Sequence, residues 1–169
     1  MPEICYNPIG VIRTPFPSPE GVPIQSAAAQ GIVGRVELDP GFVDGLKDLD
    51  GFSHIILIYH FHEAKAACLR PKPFLDRVER GVFATRSPAR PNAIGISVVR
   101  LLGIEGNVLC VENVDIVDGT PLLDIKPYVP QFDGADDVRI GWVGDKIGKL
   151  EQTRDDGRFM KKTSARKSE

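Results

Sequence analysis

The sequence predicts a mainly β fold: a small antiparallel β-barrel with one or two short helices and an irregular C-terminal extension. Three observations lead there. Fourteen prolines and seventeen glycines cut the 169 residues into short runs. Those runs are rich in β-branched residues and several alternate apolar with polar positions. No strand–helix–strand rhythm connects them, which disfavours a doubly wound sheet. With 42 % hydrophobic residues, the chain can fill one core and is short for two.

Tyr6–Thr14 (YNPIGVIRT) reads as a strand after a turn. Pro15–Pro23, with four prolines and a glycine, reads as a loop held partly extended. Gly31–Leu38 (GIVGRVEL) alternates and is a strand, whereas Phe42, Val43, Leu46 and Leu49 fall at helical spacing and predict a short helix over Pro40–Leu49. Ser53–Phe61 (SHIILIYHF) is the most hydrophobic run and predicts a core strand. Gly81–Ala84, Ile94–Leu102, Val108–Val114 and Leu122–Val129 complete the set, with turns at Glu105-Gly106-Asn107 and Asp118-Gly119-Thr120-Pro121. Residues 1–133 are assigned to the barrel. Residues 134–169 form an extension whose basic tail is expected to be partly disordered.

The net charge of −2 argues against a general nucleic-acid binder. Its distribution is uneven: Lys65–Arg100 holds eight basic and two acidic residues, a local charge of +6. Such a block attracts a polyanion, although a solvated surface has the same composition. Cys5, Cys68 and Cys110 are far apart and form no C-x-x-C, so neither a disulfide framework nor a zinc knuckle is expected. A reducing cytoplasm fits that usage. No run approaches the roughly 18–20 apolar residues of a membrane helix, and the N-terminus lacks the pattern of a signal peptide. The phosphate-loop, dinucleotide and nucleophile-elbow motifs do not occur.

Two stretches carry chemistry. GVFATRSPARPNAIGIS (Gly81–Ser97) concentrates arginines in a proline-stiffened loop. Arg86 and Arg90 present rigid forks suited to carboxylate or phosphate, and Pro88 and Pro91 lower the cost of ordering the loop around a ligand. VDIVDGTPLLDIKPYVP (Val114–Pro130) contains a tight turn whose amides and hydroxyl suit a polar cofactor or an adenine edge. Strand periodicity also puts His54, His60 and His62 on one face. An H-x-H pair followed by Glu63 gives an alternative, a metal-dependent barrel enzyme using His60 and His62. No histidine follows His62 to complete that ligand set, so His54 and His60 are read as hydrogen-bonded core histidines and no metal is expected.

Taken together, PIGVIRTPF (Pro8–Phe16), SHIILIYHFH (Ser53–His62), the arginine loop and DGTPLLDIKPYVP (Asp118–Pro130) resemble the TsaA-like, or TrmO, family of S-adenosylmethionine-dependent tRNA methyltransferases. The resemblance covers about Tyr6–Asp133. It implies a homodimeric barrel enzyme that methylates N6 of threonylcarbamoyladenosine at tRNA position 37, with the anticodon loop as partner. It also implies cofactor contacts at Gln25, Ser26, Ala27, Ala28, His62, Glu63, Arg86, Ile96, Gly119, Thr120, Pro121 and Leu122. Asp118 is the candidate proton acceptor, with Glu63 as alternative, and Arg86 holds the cofactor carboxylate or an RNA phosphate. Arg70, Lys72, Arg77, Arg80 and Arg90 are then an RNA-facing rim. A noncatalytic barrel that binds S-adenosylmethionine or RNA is the other reading.

Overall fold

A computed structural model describes residues 2–160. Within them six strands, β1 (Gly10–Arg13), β2 (Val33–Leu38), β3 (His54–His60), β4 (Ile94–Glu105), β5 (Val108–Glu112) and β6 (Thr120–Pro127), close an antiparallel barrel. Round the barrel the order is β1-β2-β5-β4-β3-β6, and β6 pairs back onto β1.

Period-two alternation sets the inside. On β2, Gly34, Val36 and Leu38 are buried between exposed neighbours; on β4, Gly95, Ser97 and Val99 are buried and alternate with exposed Ile94, Ile96 and Arg100 and half-buried Val98. β3 is paired on both sides: Leu57 faces Ser97 on β4 and Ile125 on β6, and Tyr59 faces Gly95 and Leu122. Ile12, Val36, Ile55, Leu57, Val99, Leu109, Val111 and Leu122 fill the centre, each stabilising the fold by roughly 1.5–3 kcal/mol. A register shift between Ile58 and Tyr59 breaks the β3–β6 ladder near the barrel mouth.

Two expected elements differ. Pro40–Leu49 is not one α-helix but a 3₁₀ segment, Pro40–Leu46, followed by a second over Leu49–Gly51. Gly41 and Gly45 weaken helical propagation, and Asp48, at φ 66°, separates the two pieces. Gly81–Ala84 is not a strand: Val82–Ala84 is a 3₁₀ turn closed by the Thr85 hydroxyl donating to the Val82 carbonyl at 2.9 Å. His60 is exposed at the strand end rather than in the core, while His54 is part-buried and meets the Ser53 hydroxyl at 2.9 Å.

After β6 the chain forms α1 (Pro130–Asp133) and a 3₁₀ run over Gly141–Gln152. It then turns back, pairing Arg154 with Pro23 and Met160 with Ala64. Residues 134–160 of this extension pack on the barrel side of the molecule through specific contacts. Trp142 Nε1 donates to the Ala84 carbonyl at 2.8 Å. Asp76 takes Lys146 at 2.7 Å and Arg80 at 2.8 Å, and both cations stand over the Trp142 ring. Hydrogen bonds from Lys146 first and Arg80 second hold the Asp76 carboxyl well below the usual carboxylate range. The terminal basic cluster lies outside the described residues.

Candidate active site

The barrel mouth opens into a cleft of about 1110 Å³. That is at the upper end of the roughly 300–1,000 Å³ of a small-molecule pocket, room for a nucleoside-sized ligand. Tyr59, Phe61, Gly95, Asp115 and Thr120 form its barrel side. The Thr85–Asn92 loop, the Val22–Gln25 segment and the extension, through Trp142, Ile147, Leu150 and Phe159, form its walls.

The arginine loop is braced from within. The Ser87 amide donates to Thr85 Oγ1 at 3.3 Å, and Arg90 Nη1 donates to the Thr85 carbonyl at 3.1 Å. Arg90 therefore works inside the loop, and Arg86 is turned outward to Gln25 Oε1, 2.8 Å from its Nη1. The Ser87 hydroxyl lines the cleft, buried and without a hydrogen-bond partner among the described residues. A buried hydroxyl left this way costs stability unless a ligand meets it.

On the barrel side a polar chain runs inward. Ser97 Oγ donates to Asp115 Oδ1 at 2.6 Å. With that proton committed, the Tyr59 hydroxyl is the donor in its 3.0 Å contact with Ser97 Oγ. The Tyr59 ring lies so close to Gly95 that a Cβ there would meet its Cε2 at 2.2 Å. Burial pushes the Asp115 carboxyl up to about 6; the Ser97 hydroxyl, its own backbone amide, the Arg86 charge and the Ser26 amide pull the other way. Burial, then the Asp115 charge, raises the Tyr59 phenol above its usual range.

Among the expected cofactor residues, Gln25, Ala27, His62, Glu63, Arg86, Ile96 and Thr120 line this one cleft. His62 Nδ1 is 3.4 Å from Thr120 Oγ1, which donates to the Val117 carbonyl, and His62 Nε2 is 3.6 Å from Glu63. Ser26 and Ala28 belong to the same short turn as Ala27 without lining the cleft. Leu122 is in the core, Pro121 pairs with Val11, and Gly119 adopts φ 77° to make the turn before β6. Asp118 faces elsewhere: its Oδ1 accepts the Thr14 amide at 3.0 Å and its Oδ2 is 3.8 Å from Arg13.

Of the expected basic rim, Arg90 lines the cleft, Arg80 pairs with Asp76, and Arg70 lies 3.8 Å from Glu79. Lys72 and Arg77 are exposed and form no ion pair among the described residues. Those residues contain no cluster of three His, Cys, Asp or Glu able to hold a metal ion, and no helix long and apolar enough to cross a membrane. Sequence reasoning missed Tyr59, Ser97 and Asp115 as a unit. A serine at an inward position of β4 was the readable signal.

Residues 11–134 match the family of the tRNA-methyltransferase O N-terminal domain. A Pyrococcus abyssi protein named "Probable S-adenosyl-L-methionine-binding protein" is 61 % identical over 157 residues, 93 % of this chain and 85 % of that one. The mouse "tRNA (adenine(37)-N6)-methyltransferase" is 34 % identical over 145 residues, 82 % of this chain but 34 % of the mouse protein. The crystal structure of TrmO from Pseudomonas aeruginosa aligns with a TM-score of 0.70 at 42 % identity, over 83 % of this chain and 62 % of that one. The chain thus spans about a third of the mouse relative and under two thirds of the crystallised one. The matched family region stops at 134, so the Trp142–Phe159 wall of the cleft lies beyond it.

Proposed function

This chain belongs to the family of the tRNA-methyltransferase O N-terminal domain, and we propose that it is an S-adenosylmethionine-dependent methyltransferase acting on N6 of adenosine 37 in tRNA, with threonylcarbamoyladenosine as the substrate. The observation that carries this reading is one cleft receiving both Arg86 from the proline-stiffened loop and Asp115 and Thr120 from the turn region before β6.

The residues present fit the donor. The Arg86 fork, braced on one side by Gln25, suits a carboxylate. The unpartnered Ser87 hydroxyl suits a ribose or amine group. Phe61 and Ile96 offer apolar cover for a purine. We assign cofactor contacts to Gln25, Ala27, His62, Glu63, Arg86, Ile96 and Thr120, the expected residues that line the cleft. Bound there, S-adenosylmethionine supplies an electrophilic methyl group. The cleft walls align the acceptor amine and exclude water, which is most of what this charge-dispersing transfer needs.

An anticodon-loop purine is already unpaired, so no duplex has to be opened to reach it. We assign phosphate contacts to Lys72 and Arg77, exposed and free of ion pairs among the described residues, with Arg70, Arg80 and Arg90 adding to the local positive charge. Ile94 and Ile96 are exposed at the cleft edge, a surface for the second copy of a homodimer. The working compartment is the cytoplasm.

Labelled S-adenosylmethionine, offered with tRNA carrying or lacking threonylcarbamoyladenosine, tests the reading. Label in the position-37 nucleoside of the modified tRNA alone is expected. Label in unmodified adenosine 37 overturns the finer substrate. Cofactor binding by calorimetry with label in neither tRNA overturns the enzyme and leaves a noncatalytic binder.

A further inference from the structure

We propose that Asp115 accepts the proton lost by the acceptor amine during methyl transfer, and that Ser97 and Tyr59 are positioning residues that hold its carboxylate for this; the proposal rests on the methyltransferase reading above. Asp115 lines the cleft and is fixed through Oδ1 by the Ser97 hydroxyl at 2.6 Å. Ser97 is in turn fixed by the Tyr59 hydroxyl, and the ring behind that hydroxyl is wedged on Gly95. A carboxylate offers about four lone-pair sites; the Ser97 hydroxyl takes one, and the Ser26 amide and Asp115's own amide also bear on the carboxyl.

The other carboxylates nearby are worse placed. Asp118 is spent on the Thr14 amide and Arg13. Asp155 also lines the cleft and is raised by burial to about 6, but it stands in the extension beyond the matched family region, with Asp156 and Glu20 as neighbouring charges and the Gly157 amide on its Oδ1 at 2.7 Å. Glu63 is half exposed beside His62.

In the step, the amine nitrogen forms a bond to the methyl carbon while the carbon–sulfur bond breaks and its electron pair stays on sulfur. The nitrogen's N–H bond breaks and the proton goes to the Asp115 carboxylate. A sulfonium and a carboxylate become a thioether and a carboxylic acid, so the step separates no charge and leaves the net charge of the cleft unchanged. Arg86, close enough to favour the ionised carboxyl, keeps Asp115 ready before transfer. The titratable or charged groups facing it are the Tyr59 phenol from β3 and the Arg86 guanidinium from the loop. From β4 and the Ser26–Ala28 turn it meets the Ser97 hydroxyl and the Ser26 amide. Burial that lifts the carboxyl to about 6 leaves it ionised at neutral pH yet basic enough to take a proton.

Asp115→Asn is expected to bind S-adenosylmethionine within about threefold of wild type by calorimetry while single-turnover transfer falls roughly 10²–10⁴-fold. The wild-type rate should rise with pH through a limb near 6 that the variant lacks. Asp115→Glu should restore part of the rate. Ser97→Ala should move the limb to higher pH, and carboxyl-carbon NMR of the free protein should show the Asp115 midpoint move the same way. A wild-type rate and limb in Asp115→Asn overturns the proposal. So does a loss of activity matched by loss of cofactor affinity, which would make Asp115 a partner of the donor's ammonium group. If Asp115→Asn does not fold, an unmoved limb and midpoint in Ser97→Ala overturn the positioning chain. If wild type methylates no tRNA while the free-protein midpoint stays near 6, the methyltransferase reading is what fails.

Discussion

Arg86 donates from Nη1 to Oε1 of Gln25 at 2.8 Å, tying together two cleft walls 61 positions apart in the chain. The glutamine oxygen fixes one edge of a planar fork and leaves the rest of it for an anion. Arg86→Lys keeps the charge and loses the fork. Cofactor affinity should weaken by about 1.5–3 kcal/mol, tenfold or more, while the melting temperature stays near wild type because the side chain is exposed. Calorimetry decides: unchanged affinity removes Arg86 from the cofactor contact.

Asp118 separates a structural role from a chemical one. Asp118→Ala strips the Thr14 amide of its acceptor, and denaturant midpoints should report about 1–3 kcal/mol of lost stability. Asp118→Asn can still accept from that amide and should keep near-normal turnover. A collapse of turnover in a fully stable Asp118→Asn would return the proton-accepting role to this residue.

Asp115 makes a prediction about stability as well as rate. Its carboxyl is raised in the folded state from 3.8 to about 6, so folding disfavours ionisation. The charged group costs stability above pH 6, and that cost disappears as pH falls through the window toward 3.8. Relative to wild type, Asp115→Asn should therefore gain on the order of 2–3 kcal/mol between pH 4 and pH 8. Urea titrations at the two pH values measure it, and a gain of opposite sign contradicts the assigned shift.

Gly95→Ala should damage the site from beneath. The new methyl would meet Tyr59 Cε2 at 2.2 Å and Cζ at 2.5 Å, so the ring must move and the phenol must leave Ser97. A cost of about 1–3 kcal/mol is expected, with a loss of transfer rate that exceeds the loss in cofactor affinity. Gly103→Ala, where the added Cβ meets nothing within 4 Å, is the control.

Asp76 clamps the extension through Lys146 and Arg80. Asp76→Ala should raise amide exchange over Gly141–Gln152 while β3 and β4 stay protected. In wild type the clamp should survive at pH 4. Its carboxyl is depressed, so the stability it adds is lost only as pH falls through a value well below the usual carboxylate range.

The strands were legible in two ways: alternation puts Val36 and Leu38 on the inner face of β2, and an unbroken β-branched and aromatic run marks β3, where Ile55, Ile56 and Leu57 are all buried. Val82–Ala84 misled because an apolar trio beside glycine carries no period, and whether it extends depends on Thr85 closing it. Arg86 and Thr120 were readable as neighbours through resemblance. The Tyr59–Ser97–Asp115 chain was not, since it depends on the register that sets Tyr59 opposite Gly95 and Leu57 opposite Ser97. The docked extension was hidden for a similar reason: its anchor joins Asp76 to Lys146 across 70 positions, and composition records no such pairing.

Trp142 is the only tryptophan in the chain, and it stands in the cleft wall with its indole N–H on the Ala84 carbonyl. Light absorbed selectively by indole therefore excites one spot in the whole molecule, within sight of whatever enters. The protein carries its own fluorescent reporter, and a change in emission colour or intensity will count occupied clefts without any dye attached.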